Sequence, residues 1–212
     1  MRTGKSNALR RWELALLLGV ALAALAGSWL DASQAALADR VVRLHVVANS
    51  DSDADQALKL AVRDRILAET GGLFTQGLTV EETRAALAEM LPDLAAAGAE
   101  VVGEWGCGYA VTASLEDGVW FPTKTYTDFA LPAGNYTALR LVIGEGGGHN
   151  WWCVVFPPLC LGSVTETVEE TAAAGGLTED QVSLITGEDG GYVIKFKALE
   201  LWEQFKAWLE GR

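Results

Sequence analysis

The chain has 212 residues, a hydrophobic fraction of 50% and a formal net charge of −12. This length and apolar content are sufficient for one domain with a substantial core. Binding to nucleic-acid phosphates requires clustered Lys and Arg, so the acidic balance argues against a nucleic-acid partner.

The first 38 residues have the layout of an export signal. A basic start precedes a mostly apolar stretch from Leu14 to Ala26, and its extension to Leu30 approaches the lower length limit for a membrane-spanning helix. Ala24-Leu25-Ala26 and Ala36-Leu37-Ala38 are both small-x-small sites of the kind that signal peptidases cleave. We expect residues 1–38 to engage the membrane during export, as a cleaved signal peptide or a retained anchor, and residues 39–212 to form a single exported domain.

A strand, a polar corner and a helix follow this segment. Val41 to Val47 is rich in β-branched residues and predicts a largely buried strand. From Asp53 the apolar residues lie on one helical stripe, and Asp55 precedes Lys59 by the spacing of a helical ion pair. The corner between them, Asn49 to Asp53, is rich in side chains that hydrogen-bond free backbone N–H groups. It is either a well-capped turn or a recognition site built on one.

Polar side chains near the end of this strand could form a metal or acid–base site, or satisfy local hydrogen bonds. Asp51 to Asp55 resembles the opening of a calcium loop, but Gln56 and Val62 replace the Gly and Glu that such a loop requires. We therefore expect no metal and no cofactor here. The candidate partner-binding residues of this region are His45, Asn49, Asp51 and Asp53.

Two helices are predicted before the sheet region of the sequence. Gly71-Gly72 is a natural stop for the first helix. Thr79 to Glu82 has the form of a capping box and predicts the start of the second helix. Pro92 is expected to end that helix or to open a short following one through Ala97, before a break at Gly98.

From about Glu100 the hydrophobic period changes to two, which predicts strands. Asp117-Gly118 is a strong hairpin signal between a half-buried strand and a return strand. The Gly-rich segment Gly144 to Asn150 is interpreted as a hairpin loop and not as a phosphate cradle, because no helix follows it. The predicted strands are Val101 to Trp105, Tyr109 to Leu115, Val119 to Phe121, Tyr136 to Ile143 and Trp151 to Phe156.

Two adjacent tryptophans make the last of these strands unusual. Neighbouring residues of a strand face opposite sides, so only one of the two indoles can be fully in the core. The other is either covered by a helix or exposed as an anchor for a partner. We include Asn150, Trp151 and Trp152 as candidate partner-binding residues.

The C-terminal part completes the predicted fold. Residues 162–177 are small, acidic and rich in Thr, which predicts a flexible acidic segment. A short helix from Thr178 to Leu184, a strand from Tyr192 to Phe196 and a final helix from Ala198 to Leu209 are expected after it. The predicted class is α+β, in which a mostly antiparallel sheet packs against the N-terminal helices and the C-terminal helix.

Export would place the three cysteines in an oxidising environment. Cys153 and Cys160 flank Pro157-Pro158, which can turn the chain back, so we expect a bridge between them. The alternative is three buried free thiols. A Cys–His nucleophile pair with His45 or His149 would need a proximity in space that the sequence cannot supply.

Two long motifs carry a family resemblance. The first, R-L-H-V-V-A-N-S-D-S-D-A-D-Q-A-L-K-L-A-V-R-D, runs from Arg43 to Asp64. The second begins with F-P-T-K-T-Y at Phe121 and continues through L-P-A-G-N-Y-T-A-L-R-L-V-I-G-E-G-G-G-H-N-W-W-C-V-V-F-P-P-L-C to Cys160. Together they resemble the stage II sporulation protein R family of endospore-forming bacteria.

The resemblance implies a signalling protein and not an enzyme. Members of that family are made in the forespore and exported into the space between the two septal membranes. There they switch on a membrane-embedded aspartic protease of the mother cell, which processes pro-sigma-E. The alternative is an exported cell-wall or peptide hydrolase, which would lose activity on His45→Ala and Cys153→Ala at an unchanged melting temperature.

Overall fold

A computed structural model of the chain describes residues 4–74, 77–159 and 167–186. It starts with a long helix, α1, whose apolar side chains from Leu14 to Leu22 are mostly exposed. No helix in these described stretches is long and apolar enough to cross a membrane. In chain order, the helices and strands are α1 (Gly4–Ala38), β1 (Val42–Val47), α2 (Asp53–Phe74), α3 (Val80–Glu104), β2 (Val111–Phe121), β3 (Lys124–Thr125), β4 (Ala130–Leu131), β5 (Gly134–Ile143), β6 (Asn150–Phe156), α4 (Val168–Ala174) and α5 (Glu179–Thr186).

The main sheet has four strands in the order β2-β5-β1-β6. β1 is parallel to β5 and antiparallel to β6, and β2 is antiparallel to β5. Leu44 lies at the centre of the sheet, between Leu139 of β5 and Cys153 of β6. β3 and β4 form a separate two-stranded ribbon. The predicted α+β class with a mostly antiparallel sheet is confirmed.

Each face of the sheet carries its own hydrophobic core, because alternate residues of every strand point to opposite sides. On the first face, Leu44 and Val46 of β1 pack with Leu58 and Val62 of α2 and with residues of α3. On the second face the core contains the end of α1, part of the β3–β4 ribbon and residues of α4 and α5. The second-face core comprises Leu37, Ala38, Val41, Phe121, Phe129, Leu131, Tyr136, Ala138, Val154, Ala172, Leu177 and Ile185.

Both long helices run further than their sequence signals predicted. α2 continues through Gly71-Gly72 to Phe74. α3 starts with the predicted capping box, in which Thr79 and Glu82 exchange hydrogen bonds. It then passes through Pro92 without ending, so the predicted break and the short strand after Glu100 are wrong. Pro92 is exposed, so the backbone carbonyl that its ring leaves unbonded can face water.

The predicted hairpin at Asp117-Gly118 is instead a bulge within one strand. β2 pairs with β5 on both sides of it, and the register shifts between Glu116 and Val119. Gly118 has a φ of 69°, a conformation that glycine adopts without strain. The bulge reverses which residues face each core, so Phe121 reaches the second face while Leu115 packs on the first.

The Gly-rich segment between β5 and β6 is also not a hairpin loop. The two strands it connects are not neighbours, because β1 lies between them. The segment therefore crosses over the end of β1 and contacts the polar corner that follows that strand. This crossing positions the candidate site.

The C-terminal predictions have mixed outcomes. Part of the segment predicted to be flexible is helical, because Thr167 and Glu170 form a second capping box at the start of α4. The predicted helix near Thr178 is confirmed as α5. The predicted last strand and final helix lie outside the described residues.

Candidate functional site

The polar corner after β1 is shaped by its own serine and asparagine side chains. Ser52 caps α2 by accepting a hydrogen bond from the backbone N–H of Asp55 at 3.2 Å. Ser50 Oγ accepts from the backbone N–H of Ser52 at 3.2 Å. The capped turn that the sequence predicted is therefore present, with Ser52 as its capping residue.

Asp55 points into this corner and not along the surface of α2. Its carboxylate accepts from Asn49 Nδ2 at 2.9 Å and from Ser50 Oγ at 2.5 Å. The Ser50 and Asn49 hydrogen bonds, the largest effects, hold the pKa of Asp55 below its usual range. Asp55 is buried, with 6% of its surface exposed. It fixes the corner internally.

Lys59 does not form the predicted ion pair with Asp55. Its Nζ instead donates to Gln56 Oε1 at 2.6 Å and to the backbone carbonyl of His149 at 3.0 Å. The side chain is buried, and burial lowers the pKa of Lys59 from its ordinary value. Lys59 thus ties α2 to the Gly-rich segment.

Backbone N–H groups of the Gly-rich segment donate hydrogen bonds to the polar corner. The N–H of Glu145 donates to Asn49 Oδ1 at 3.1 Å, and the N–H of Gly147 donates to the Asn49 carbonyl at 3.1 Å. The N–H of Gly148 donates to the carbonyl of Ala48 at 3.0 Å. We call residues 49–55 together with residues 144–149 the junction.

Two glycines make this close approach possible. A Cβ on Gly148 would overlap the backbone carbonyl of Ser50, which cannot move without breaking the turn. Gly144 has a φ of 58°, and a Cβ there would overlap the side chain of Asn49. The two glycines therefore allow the close packing of the junction.

Asp51 and His149 form the exposed part of the junction. Asp51 Oδ1 accepts from the backbone N–H of His149 at 2.6 Å and also contacts His149 Nδ1. The His149 backbone N–H, followed by its ring, lowers the pKa of Asp51. The His149 side chain is 79% exposed and that of Asp51 is 54% exposed. The pair can hydrogen-bond to a partner from a position that the backbone fixes.

The carboxylates of the corner diverge. Asp53 is exposed in the first turn of α2, Asp55 points inward and Asp51 faces His149. No group of three or more His, Cys, Asp or Glu side chains that could hold a metal ion occurs in the described part of the chain.

Three of the predicted partner-binding residues lie on the second face of the sheet or at its edge: His45, Trp152 and Asn150. The centre of the His45 ring lies 5.9 Å from the centre of the Phe121 ring and 6.3 Å from that of Trp152. Burial is the main cause that lowers the pKa of His45. A side-chain hydrogen bond with Asn150 opposes this effect, and the nearby charge of Arg140 adds to it. His45 is therefore neutral at pH 7. Asn150, at the start of β6, is exposed beside the junction.

Trp151 lies on the opposite face from Trp152, as strand geometry predicted. The guanidinium of Arg63 in α2 lies 4.4 Å from the centre of the Trp151 ring. Both indoles are half-buried. The structure thus brings Asn49, Asp51 and Asn150 together at one end of the sheet. Asn150 also interacts with His45, and the two tryptophans follow it along β6.

A third segment, residues 105–110, reaches the same end of the sheet and was not predicted as part of the site. The side chain of Tyr109 hydrogen-bonds with Asp55, whose negative charge raises the pKa of Tyr109. Trp105 ends α3 and is 47% exposed. The alternating pattern assigned Tyr109 to a strand, so no signal in the sequence pointed to this contact.

Cysteine chemistry is restricted by one covalent bond. Cys153 is buried and disulfide-bonded, so its sulfur is not available as a thiolate nucleophile. Cys107 is free and half-buried. Cys160 lies outside the described residues, and its pairing with Cys153 stays a prediction.

Comparisons with known proteins give two positive findings. The sequence profile of the family described as stage II sporulation protein R matches residues 38–166. Stage II sporulation protein R of Bacillus subtilis (strain 168) is 35% identical over 155 residues, which cover 71% of this chain and 69% of that protein. No solved structure matches the chain.

Proposed function

The chain belongs to the stage II sporulation protein R family, and on that premise we propose that it is an exported sporulation signal. In this proposal it is made in the forespore and acts in the intermembrane space of the sporulation septum. There it binds the membrane-embedded aspartic protease of the mother cell and activates it, so that pro-sigma-E is processed.

The junction is the observation that carries this proposal. It joins the two motifs that the family resemblance rests on, although Asn49 and Glu145 are 96 residues apart in the sequence. Its backbone is held by hydrogen bonds while its outer side chains reach solvent. A surface that is ordered before binding loses less conformational entropy on association. Apart from Ser52, the exposed polar side chains of the junction are Asp51, Asp53, Glu145 and His149, and Asn150 is exposed beside it.

The N-terminal helix supports export. The apolar side chains in its earlier turns gain little from the fold, since Trp12 is 79% exposed and Leu25 is 68% exposed. Apolar helical segments of this kind, behind a basic start, engage the export machinery and the lipid bilayer.

Activation requires that the chain bind one state of the protease more tightly than the other. A ligand shifts a two-state equilibrium only by its differential affinity for the two states. An aspartic protease needs two aspartates at one site, so a partner that favours the assembled arrangement would raise its activity. The exposed acidic side chains of the junction, Asp51, Asp53 and Glu145, are complementary to a partner surface with basic residues.

Replacing Asp53 with Asn and Glu145 with Lys in one variant tests this surface. The Asn49 side chain bonds the backbone of Glu145, so the junction itself should be preserved. In cells that co-express the protease and its pro-sigma substrate, we expect processing to fall by roughly tenfold, which corresponds to about 1.4 kcal/mol of binding. Export and melting temperature should stay as in the unmodified chain.

The matched control is Asp93→Asn with Glu89→Lys, which makes the same two chemical changes on exposed positions of α3. It should leave processing unchanged. Equal loss in both variants would show that net charge is responsible, and full activity of the junction variant would remove the junction from the partner-binding surface.

A further inference from the structure

We infer that export of this chain includes hydrolysis of the peptide bond between Ala26 and Gly27, and that the second small-x-small site, Ala36-Leu37-Ala38, is not cleaved. The inference rests on the proposed export. It follows from a division within α1, whose last turns belong to the folded domain while its earlier turns do not.

The end of α1 is part of the second-face core. Leu37 is 0% exposed, Ala38 is 5% exposed and both pack in the same cluster as Val41. Cleavage after Ala38 would remove a fully buried leucine from this core and leave a cavity behind. A mature chain that began at Asp39 would therefore lack part of its own interior.

Polar contacts also tie this end of α1 to the body. Gln181 of α5 donates to the backbone carbonyl of Ala36 at 3.1 Å. Arg40, just after the helix, donates from Nη1 to the carbonyl of Gly176 at 2.6 Å. Ala36 and Arg40 also line a cavity of about 520 Å³ between the end of α1, the start of α3 and the turn before α5. The second site thus contacts α5 through Ala36 and lies beside the start of α3 and the turn before α5, although the side chain of Ala36 is exposed.

The side chains from Arg10 to Leu22, which the structure describes, are exposed instead. Leu14, Leu18 and Leu22 are 64%, 63% and 58% exposed. Their removal costs the domain no packing and takes a solvent-exposed apolar surface off the exported protein. Cleavage after Ala26 removes all of these residues and keeps every residue of the second-face core.

The chemistry of the first site fits a signal peptidase. Such enzymes require small residues at the first and third positions before the cut, and Ala26 and Ala24 occupy them after an apolar stretch. Hydrolysis adds one water molecule across the Ala26–Gly27 bond. It leaves a carboxylate on Ala26 and an ammonium group on Gly27, with no other reactant.

N-terminal sequencing and intact mass of the exported full-length gene product test the inference. We expect a mature N-terminus at Gly27. Ala26→Leu places a large side chain directly before the cut and should leave the uncleaved chain attached to the membrane. Ala36→Leu changes an exposed member of the second site and should leave cleavage unchanged.

A second measurement tests the role of the α1 end in the fold. Exported Leu37→Ala should melt roughly 10 °C below the unmodified protein, whereas exported Ala36→Leu should melt close to it. An exported protein that begins at Asp39, or that keeps Met1, would overturn the processing inference and leave export standing. A chain that stays inside the producing cell would overturn both.

Discussion

At the scale of single residues, charged side chains are buried where hydrogen-bond partners are present in the interior. Arg43 is fully buried in β1, where its Nε donates to the carbonyl of Cys153 at 2.9 Å and its Nη2 donates to the Tyr126 hydroxyl at 3.2 Å. Its guanidinium lies 4.5 Å from the centre of the Phe121 ring and 5.1 Å from that of Tyr136. Aromatic faces therefore stabilise the buried cation.

Asp55 gives a prediction at this scale. Its pKa is lowered in the folded state by Ser50 and Asn49, so its stabilising effect is present above the ordinary Asp range and is lost as the pH falls through the lowered pKa. Asp55→Asn should therefore lower the melting temperature at about pH 7. This deficit should shrink as the pH falls through the lowered pKa of Asp55, where the wild-type carboxyl becomes protonated.

The measurement is thermal unfolding by circular dichroism at several pH values. The control variant Asp93→Asn, on an exposed turn of α3, should have the same melting temperature as the wild type at each pH. A deficit for Asp55→Asn that stays constant over the whole pH range would contradict the assigned role of its carboxylate.

At the scale of elements, long-range packing overrides local breakers. α3 runs through Pro92 because Leu87, Leu94 and Val101 are buried on both sides of it, at 0%, 0% and 6% exposed. Burial of such side chains contributes about 2 kcal/mol each, which together offsets the cost of about 3 kcal/mol for a proline within a helix. β2 likewise continues through a turn sequence, because both of its halves pair with β5.

Gly98 provides a test of that packing. A Cβ at this position would lie 2.9 Å from Val111 Cγ1, because α3 crosses close to β2 there. We expect Gly98→Ala to destabilise the protein by about 1 kcal/mol, since overpacking outweighs the gain in helix propensity. Gly103→Ala, in the same helix with open space around its Cβ, should stabilise it by about 0.5 kcal/mol.

Chemical denaturation of the two glycine variants gives these values. Because both substitutions gain the same intrinsic helix propensity, the difference between them measures the contact between α3 and β2. Stabilisation by both variants would mean that Val111 moves aside at no cost.

At the scale of the whole molecule, one sheet supports two cores, and the Gly-rich crossing locks its order. Val154 and Val155 are neighbours on β6, both 0% exposed, and each packs in a different core. A residue substituted on either face should therefore affect the same folding unit.

Val154→Ala and Val155→Ala should each destabilise the protein by about 2 kcal/mol and keep a single unfolding transition. Far-ultraviolet circular dichroism and tryptophan fluorescence, followed during the same denaturant titration, should coincide for both variants. Thr112→Ala, an exposed substitution on β2, should change stability by less than about 0.5 kcal/mol. Two separated transitions in either valine variant would show that the cores unfold independently.

The sequence by itself determined the local features of this protein. Three features depend only on residues that are close in sequence: the capping box of α3, the apolar pattern of β1 and the opposite facing of Trp151 and Trp152. They could therefore be recognised without knowledge of the fold. The same holds for the two motifs that indicated the family. Local patterns also predicted the capped corner and four of the residues in or beside the junction, namely Asn49, Asp51, Asp53 and Asn150.

The tertiary structure alone decided how these pieces meet. The insertion of β1 between β5 and β6 forces the Gly-rich segment to cross the corner, and no local pattern encodes that strand order. The inward turn of Asp55 and Lys59, the contact with Tyr109 and the burial of Leu37 follow from the same assembly. These contacts join distant residues, and their energies exist only once the sheet has brought the partners together.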